Sequence, residues 1–338
     1  MLVSGTTATV EIRFEGRLAC GTPLAFDAVD VFDVRDGLIS RLSSWYDSHA
    51  VRAALLDALA AAAPPAAAEL GSLRHITPER RRAALRLVRH GRAFRVELPL
   101  DGIAPPLYGR PPLRHRVLPP DGHPEAEDDL LERLNTQASS HWDALRHVAA
   151  PGGRRYGGRA GADLGIDLWR DGVVTRAVLL DLGADLGVGW NEARPIGVND
   201  LEAAAERRGV EIRPGDALLL RTGFLAGLLA TPPAERPADP PAPGLANDDS
   251  VAAWLAAREV AAVAADNPGL EVLPADPARP LLHARLLPDL GLAVGELWWL
   301  DDLAADCARD GVWEGLLVAV PLYLRGGCAS PANAIVLK

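Results

Sequence analysis

The richest concentration of reactive side chains in this 338-residue chain is the run from Asn135 to Gly158, NTQASSHWDALRHVAAPGGRRYGG, which gathers Gln137, His141, Asp143 and His147 within eleven residues. A single residue separates His141 from Asp143, so in an extended segment both side chains leave the same face and can grip one ion. Imidazole nitrogen with carboxylate oxygen suits zinc, manganese or iron. An open coordination position on such an ion would hold a water of lowered pKa, a nucleophile at neutral pH. His147, six residues beyond His141, is far enough along the chain to approach from another direction as general acid or base. A blander reading makes Asp143 the N-cap of a helix DALRHVAA, with His141 and His147 packed locally. Spacing alone leaves both readings open.

The elements that must carry these groups follow from periodicity. From Arg74 to Lys338 the chain reads as a mixed α/β domain. An Arg- and Leu-rich helix from Pro78 to about His90 precedes a strand FRVELPL, and a Pro- and Gly-rich loop region from Asp101 to Pro124 could cover a pocket. Beyond the reactive run, GVVTRAVLLDL is a buried strand. NDLEAAAERRG is a helix capped by Asn199 or Asp200, and Pro214-Gly215-Asp216 turns into the apolar strand ALLLR. SVAAWLAAREVAAVAAD reads as helix then strand, LLHARLLPDLG and WWLDDLAADCARDG as helices, and WEGLLVAVPLYL as a strand.

The first 60 residues have a different texture. Thr7 to Tyr46 alternates apolar and polar residues, which predicts a three-strand antiparallel meander with Asp36-Gly37 as a two-residue hairpin turn, followed by a short helix from about Ser48 to Ala60. AAAPPAAA at 61–68 then breaks any regular element, so residues 61–73 are expected to be an Ala/Pro linker. The stretch GTPLAFDAVDVFDVRDGLISRLSSWYDSHAVRAAL resembles the C-terminal half of a SnoaL-like domain of the nuclear-transport-factor-2-like superfamily. That resemblance implies a small α+β half-cone.

Composition narrows the function classes. A formal charge of −10 offers no basic field for counterion release, which argues against nucleic acid and acidic membranes as partners. No apolar run is long enough to span a bilayer, and Cys20, Cys307 and Cys328 form no CxxC pair, so a reducing cytoplasm is the expected location. GGRRYGGRAG lacks the Lys-Ser or Lys-Thr ending of a phosphate loop, and Ser330 in GCASPAN is not a GxSxG elbow. Among lesser candidates, Tyr156 and the Asn267-Pro268 turn could line a pocket, and Arg110 and His115 could meet an anionic substrate. Trp142 should point away from His141 and Asp143 into the core.

The reactive run resembles the HxGTHxDxPxH signature of the cyclase family, which includes bacterial kynurenine formamidases and isatin hydrolases. Gln137 stands at the first signature His, His141 at the second, Asp143 at the Asp and His147 at the last His; Ser139-Ser140 replaces Gly-Thr and Leu145 replaces Pro. RAVLLDL, VEIRPGDALLLRTGF and the tail from LLHARLLPDLG onward resemble the family in the same order.

The resemblance implies a mixed β-sheet with flanking helices, a swivelling β/β/α-like fold. It also implies a metal-dependent hydrolase acting on an amide, formamide or lactam-like bond of a small cyclic or aromatic substrate. His283 and Glu296 would complete a cluster with Gln137, His141 and Asp143 around one or two divalent ions, zinc or manganese, with His147 as general acid/base and a homodimer or larger assembly as the expected state. Gln137 departs from the family pattern. Its amide oxygen could ligate a harder ion such as manganese, the side chain could only orient water or ligand, or one metal position could be lost. Lactone hydrolysis, cyclisation, or a metal-free binding protein with a decayed site are the rival readings.

Overall fold

The alternating residues Thr7 to Tyr46 form the expected three antiparallel strands, β2 (Thr7–Arg17), β3 (Pro23–Arg35) and β4 (Leu38–Tyr46), and a short strand β1 (Leu2–Ser4) ahead of them pairs with β2. Arg35 pairs with Leu38 and Asp36 takes φ 53°, as the two-residue hairpin requires. Phe14 faces Phe26 across β2 and β3 with their rings stacked at 5.0 Å. The computed structural model describes residues 2–17, 23–36, 38–46, 69–119 and 125–338. Gly37, the expected helix from Ser48 to Ala60 and the greater part of the linker lie outside the described residues.

The chain divides into a unit Met1–Ala68 and a unit Glu69–Lys338. The second unit therefore begins five residues before the expected Arg74. Ser72 and Leu73, expected in the linker, are buried, and the Ser72 hydroxyl donates to the Ala261 carbonyl at 2.6 Å.

The strands of this unit are β5 (Ala93–Arg95), β6 (Arg114–Leu118), β7 (Asp128–Arg133), β8 (His141–Asp143), β9 (Val173–Asp181), β10 (Pro195–Ile196), β11 (Ala217–Arg221), β12 (Gly244–Leu245), β13 (Ala262–Ala265), β14 (Ala293–Glu296), β15 (Glu314–Ala319), β16 (Ala329–Pro331) and β17 (Ala334–Leu337). Among the described residues, nine of them form one mixed sheet in the order β16-β8-β14-β13-β11-β9-β15-β17-β5. The central strands β14, β13, β11 and β9 run parallel, and the strands outside them pair antiparallel. Parallel strands covered on both faces read as unbroken apolar runs, which is why GVVTRAVLLDL and ALLLR carry little alternation.

Helices flank the sheet with boundaries shifted from those read in the sequence. The first spans Pro78–Leu85, capped by Thr77, and is shorter than expected. The helix Val198–Arg207 begins after Gly197, not after Asn199 or Asp200; Asp200 sits inside the first turn and accepts the Gly197 N–H at 2.9 Å. LLHARLLPDLG is one α-turn, His283–Arg285, running into a π-helical turn, Leu286–Leu290. VPLYL after β15 is not strand. No helix among the described residues is long and apolar enough to cross a membrane.

Candidate functional site

DALRHVAA does not form a helix. His141, Trp142 and Asp143 are β8, held between β14 and β16. The register sets His141 directly opposite Glu296, the last residue of β14. Because side chains alternate, His141, Asp143 and Glu296 all leave one face, beyond the carboxyl end of a parallel strand, where α/β sheets place their ligand crevices.

The opposite face explains why this corner is rigid. Trp142 is fully buried, edge-on to Trp298 at 4.8 Å and to Trp169 at 6.2 Å, as alternation predicts. Its partner in the register is Gly295, where a methyl group would lie 2.7 Å from Trp298 Nε1, so only glycine lets the indole cross the strand. Trp298 Nε1 donates to the His141 carbonyl at 3.1 Å. Ser139 and Ser140, at the Gly-Thr positions, are braces. Ser139 Oγ donates to Pro99 O, and Ser140 Oγ accepts the Leu98 N–H and donates to Leu297 O.

Four side chains converge. His141 Nε2 lies 3.3 Å from Glu296 Oε2 and 3.6 Å from Asp143 Oδ1; His283 Nε2 lies 2.9 Å from Glu296 Oε1 and 3.6 Å from Asp143 Oδ2. His141, Asp143 and Glu296 meet the geometric requirement for holding one ion. His141 Nε2 and Asp143 Oδ2 are buried yet make no hydrogen bond. His141 Nδ1 faces Ser139 O at 2.8 Å, so Nδ1 carries the proton and Nε2 is the nitrogen turned to the cluster. A set of imidazole nitrogens and carboxylate oxygens around two unsatisfied buried atoms fits a divalent ion.

At the centre burial and neighbouring charge oppose one another. Burial by itself would lower both imidazoles. The Glu296 and Asp143 carboxylates outweigh it at His141, and Asp143, Glu271 and Glu296 hold His283 well above its ordinary value. Burial likewise opposes ionisation of Glu296, but His141 and His283 hold it well below the usual carboxylate range. An incoming cation displaces protons from the imidazoles, so affinity for it rises with pH.

Two further expected residues flank the cluster. His147 Nε2 is 3.9 Å from Asp143 Oδ1, with its side chain 28% exposed at the rim. The Gln137 amide nitrogen donates to Asp143 Oδ1 at 2.8 Å and is 3.3 Å from His147 Nε2.

Among the lesser candidates, Arg110 donates to the Gln137 carbonyl at 2.6 Å. Tyr156 is buried under Arg74, and His115 pairs with Asp129 on the exposed β6–β7 hairpin, so neither joins the centre. Asn267 is buried and donates to the carbonyls of Pro243 and Glu271, bracing the chain that carries Glu271.

Sequence reasoning missed Tyr108 and Glu271. Tyr108, on the Pro-rich loop, takes φ 57°; burial and then the Glu296 charge push its phenol up, so the ring lies within electrostatic reach of the centre. The Pro-rich composition that marked a covering loop was the available signal. Glu271 is buried, accepts the His283 backbone N–H at 3.0 Å and faces His283 Nδ1 at 3.2 Å, which turns Nε2 toward Asp143 and Glu296. Nothing in GLEVLP marks it.

Glu271→Gln is expected to weaken divalent-ion affinity about 10- to 100-fold, the usual cost of losing the partner that orients a ligating imidazole, with little change in melting temperature. Titration calorimetry with Mn²⁺ or Zn²⁺ measures it, and unchanged affinity would remove Glu271 from the centre.

Residues 99–272, about half of the chain, match the Cyclase family model. No curated protein matches. Among solved structures, one described as a novel cyclase is 32% identical over 80% of this chain and 96% of its own, with a TM-score of 0.72. An isatin hydrolase bound to the product analogue thioisatinate is 17% identical over 73% of this chain and 92% of its own, with a TM-score of 0.54. Isatin hydrolase A from Ralstonia solanacearum is 20% identical over 73% and 92%, also at 0.54. The last two share the fold. The family match and the 32% identical cyclase together show that this chain belongs to the cyclase family.

Proposed function

We propose that the protein is a metal-dependent hydrolase that opens an amide, formamide or lactam-like bond in a small cyclic or aromatic substrate. The observation that carries this reading is the pair of buried atoms His141 Nε2 and Asp143 Oδ2, which make no hydrogen bond, beside Glu296 and His283. Leaving a polar atom buried and unsatisfied costs about 1–3 kcal/mol, a cost that a bound cation removes. His141, Asp143, His283 and Glu296 would hold it, and the mixed nitrogen and oxygen donors suit zinc or manganese. Such an ion supplies Lewis acidity toward a carbonyl and makes water a nucleophile at neutral pH.

The chain's own groups do the rest. Asp143 and Glu296 fix the cluster's negative charge, and Ser139 O and Glu271 set the tautomers of His141 and His283. His147, at the rim between cluster and solvent, takes a proton from the attacking water and delivers it to the departing nitrogen. The substrate class rests on family membership and on the fold shared with isatin hydrolases.

The test is elemental analysis of protein purified without chelators, together with assays on aryl formamides and on isatin-type lactams. We expect a bound transition metal, and hydrolysis that EDTA abolishes and Mn²⁺ or Zn²⁺ restores. Hydrolysis by metal-free protein would overturn the metal role, and a metal-free, inactive protein would favour a binding protein with a decayed site.

A further inference from the structure

The two oxygens of the Asp143 carboxylate have different neighbours. Its Oδ2 points toward His283 and Glu296 and makes no hydrogen bond. Its Oδ1 lies 3.6 Å from His141 Nε2 and 3.9 Å from His147 Nε2. A carboxylate shared in this manner, with an imidazole beside each oxygen, is the arrangement from which a second cation position is built. In this chain the Gln137 side chain stands on the Oδ1 side. Gln137 Nε2 stands 2.8 Å from Asp143 Oδ1, and 3.3 and 3.5 Å from the two ring nitrogens of His147.

Which end of the carboxamide faces Asp143 is decided by chemistry. An ionised carboxylate only accepts, so the atom at 2.8 Å must be the NH₂ donor, and the oxygen, the one atom of this side chain able to ligate a cation, is turned away. The backbone of Gln137 is held on both sides: its N–H donates to Asn135 Oδ1 at 2.9 Å and its carbonyl accepts from Arg110 at 2.6 Å.

We propose that this centre holds one divalent ion, among His141, Asp143, His283 and Glu296, and that the Gln137 amide nitrogen occupies the place of a second. The carboxamide acts as a neutral substitute for a cation. It satisfies Asp143 Oδ1 by hydrogen bonding and leaves Oδ2 free for the single ion. The inference rests on the metal-dependent reading above.

The experiment counts ions. Wild-type protein, Gln137→His and Gln137→Glu are stripped, reloaded with excess Mn²⁺, desalted and measured by mass spectrometry for metal per chain, with electron paramagnetic resonance to detect a spin-coupled pair. Wild type is expected to retain one equivalent with an uncoupled spectrum. Either variant, which puts an imidazole nitrogen or a carboxylate where the NH₂ stood, is expected to retain two with a coupled spectrum. Two equivalents in wild type would overturn the single-ion inference while leaving the hydrolase reading intact. One equivalent in both variants, with melting temperatures near wild type, would also overturn it, because the carboxamide would then not be what excludes the second ion. No retained metal in wild type would sink the metal-dependent reading itself, and this inference with it.

Discussion

Replacing Glu296 with glutamine is expected to strip the protein of its divalent ion and to lower turnover by about a thousandfold or more, equivalent to roughly 4 kcal/mol of lost transition-state stabilisation. Glu296 stands between the two imidazoles, 3.3 Å from His141 Nε2 and 2.9 Å from His283 Nε2, and with Asp143, and Glu271 at His283, its charge holds both of them above their ordinary pKa. Glutamine keeps the volume and removes the charge. The amide can present its oxygen to only one imidazole at a time, and a neutral oxygen is a weak ligand for zinc. The site is buried and the substitution nearly isosteric, so the fold should persist. Metal content, turnover and melting temperature measured on one preparation separate these effects. A Glu296→Gln protein that keeps its ion and wild-type turnover would show that the cluster does not carry the chemistry.

His147→Ala is expected to behave differently, losing about 10²- to 10⁴-fold in kcat while retaining the ion. The difference follows from position. His141, Asp143 and Glu296 are buried, whereas His147 lies at the rim, nearer the Gln137 nitrogen than any carboxylate oxygen of the cluster. Its ring can exchange a proton with solvent between turnovers without disturbing the ion. Partial recovery of turnover by added imidazole would support proton transfer as the lost role. Loss of bound metal in His147→Ala would reassign the residue as a ligand.

The pairing of His141 with Asp143 was legible because strand periodicity is local. Two residues apart on an extended backbone share a face whatever lies around them. The same rule set Trp142 in the core. The strands GVVTRAVLLDL and ALLLR were legible from long apolar runs, but helix limits were not, since ends depend on caps such as Gly197 with Asp200 that compete closely along the chain. His283 and Glu296 entered only through resemblance to the cyclase family. Neither lies near the reactive run in sequence, and no spacing rule reaches across some 140 residues. The likeness of the first 60 residues to a SnoaL-like domain rests on sequence alone.

What the sequence determined by itself is therefore local: which donor types are present, and that His141 and Asp143 project together if the segment is extended. The Pro-rich segment read as a loop from Asp101 to Pro124 in fact carries the strand β6, Arg114–Leu118, because its partner β7 lies outside it. What tertiary structure decided is registry and direction. The antiparallel pairing of β8 with β14 sets Glu296 opposite His141, because hydrogen-bond register, not sequence distance, chooses cross-strand neighbours. Glu271 turns the ring of His283 from twelve residues away, through a fold of the chain that its own neighbours do not announce. The role of Gln137 was decided last, since one letter carries both a ligating oxygen and a donating nitrogen. Only the position of Asp143 Oδ1 determines that the nitrogen faces the centre.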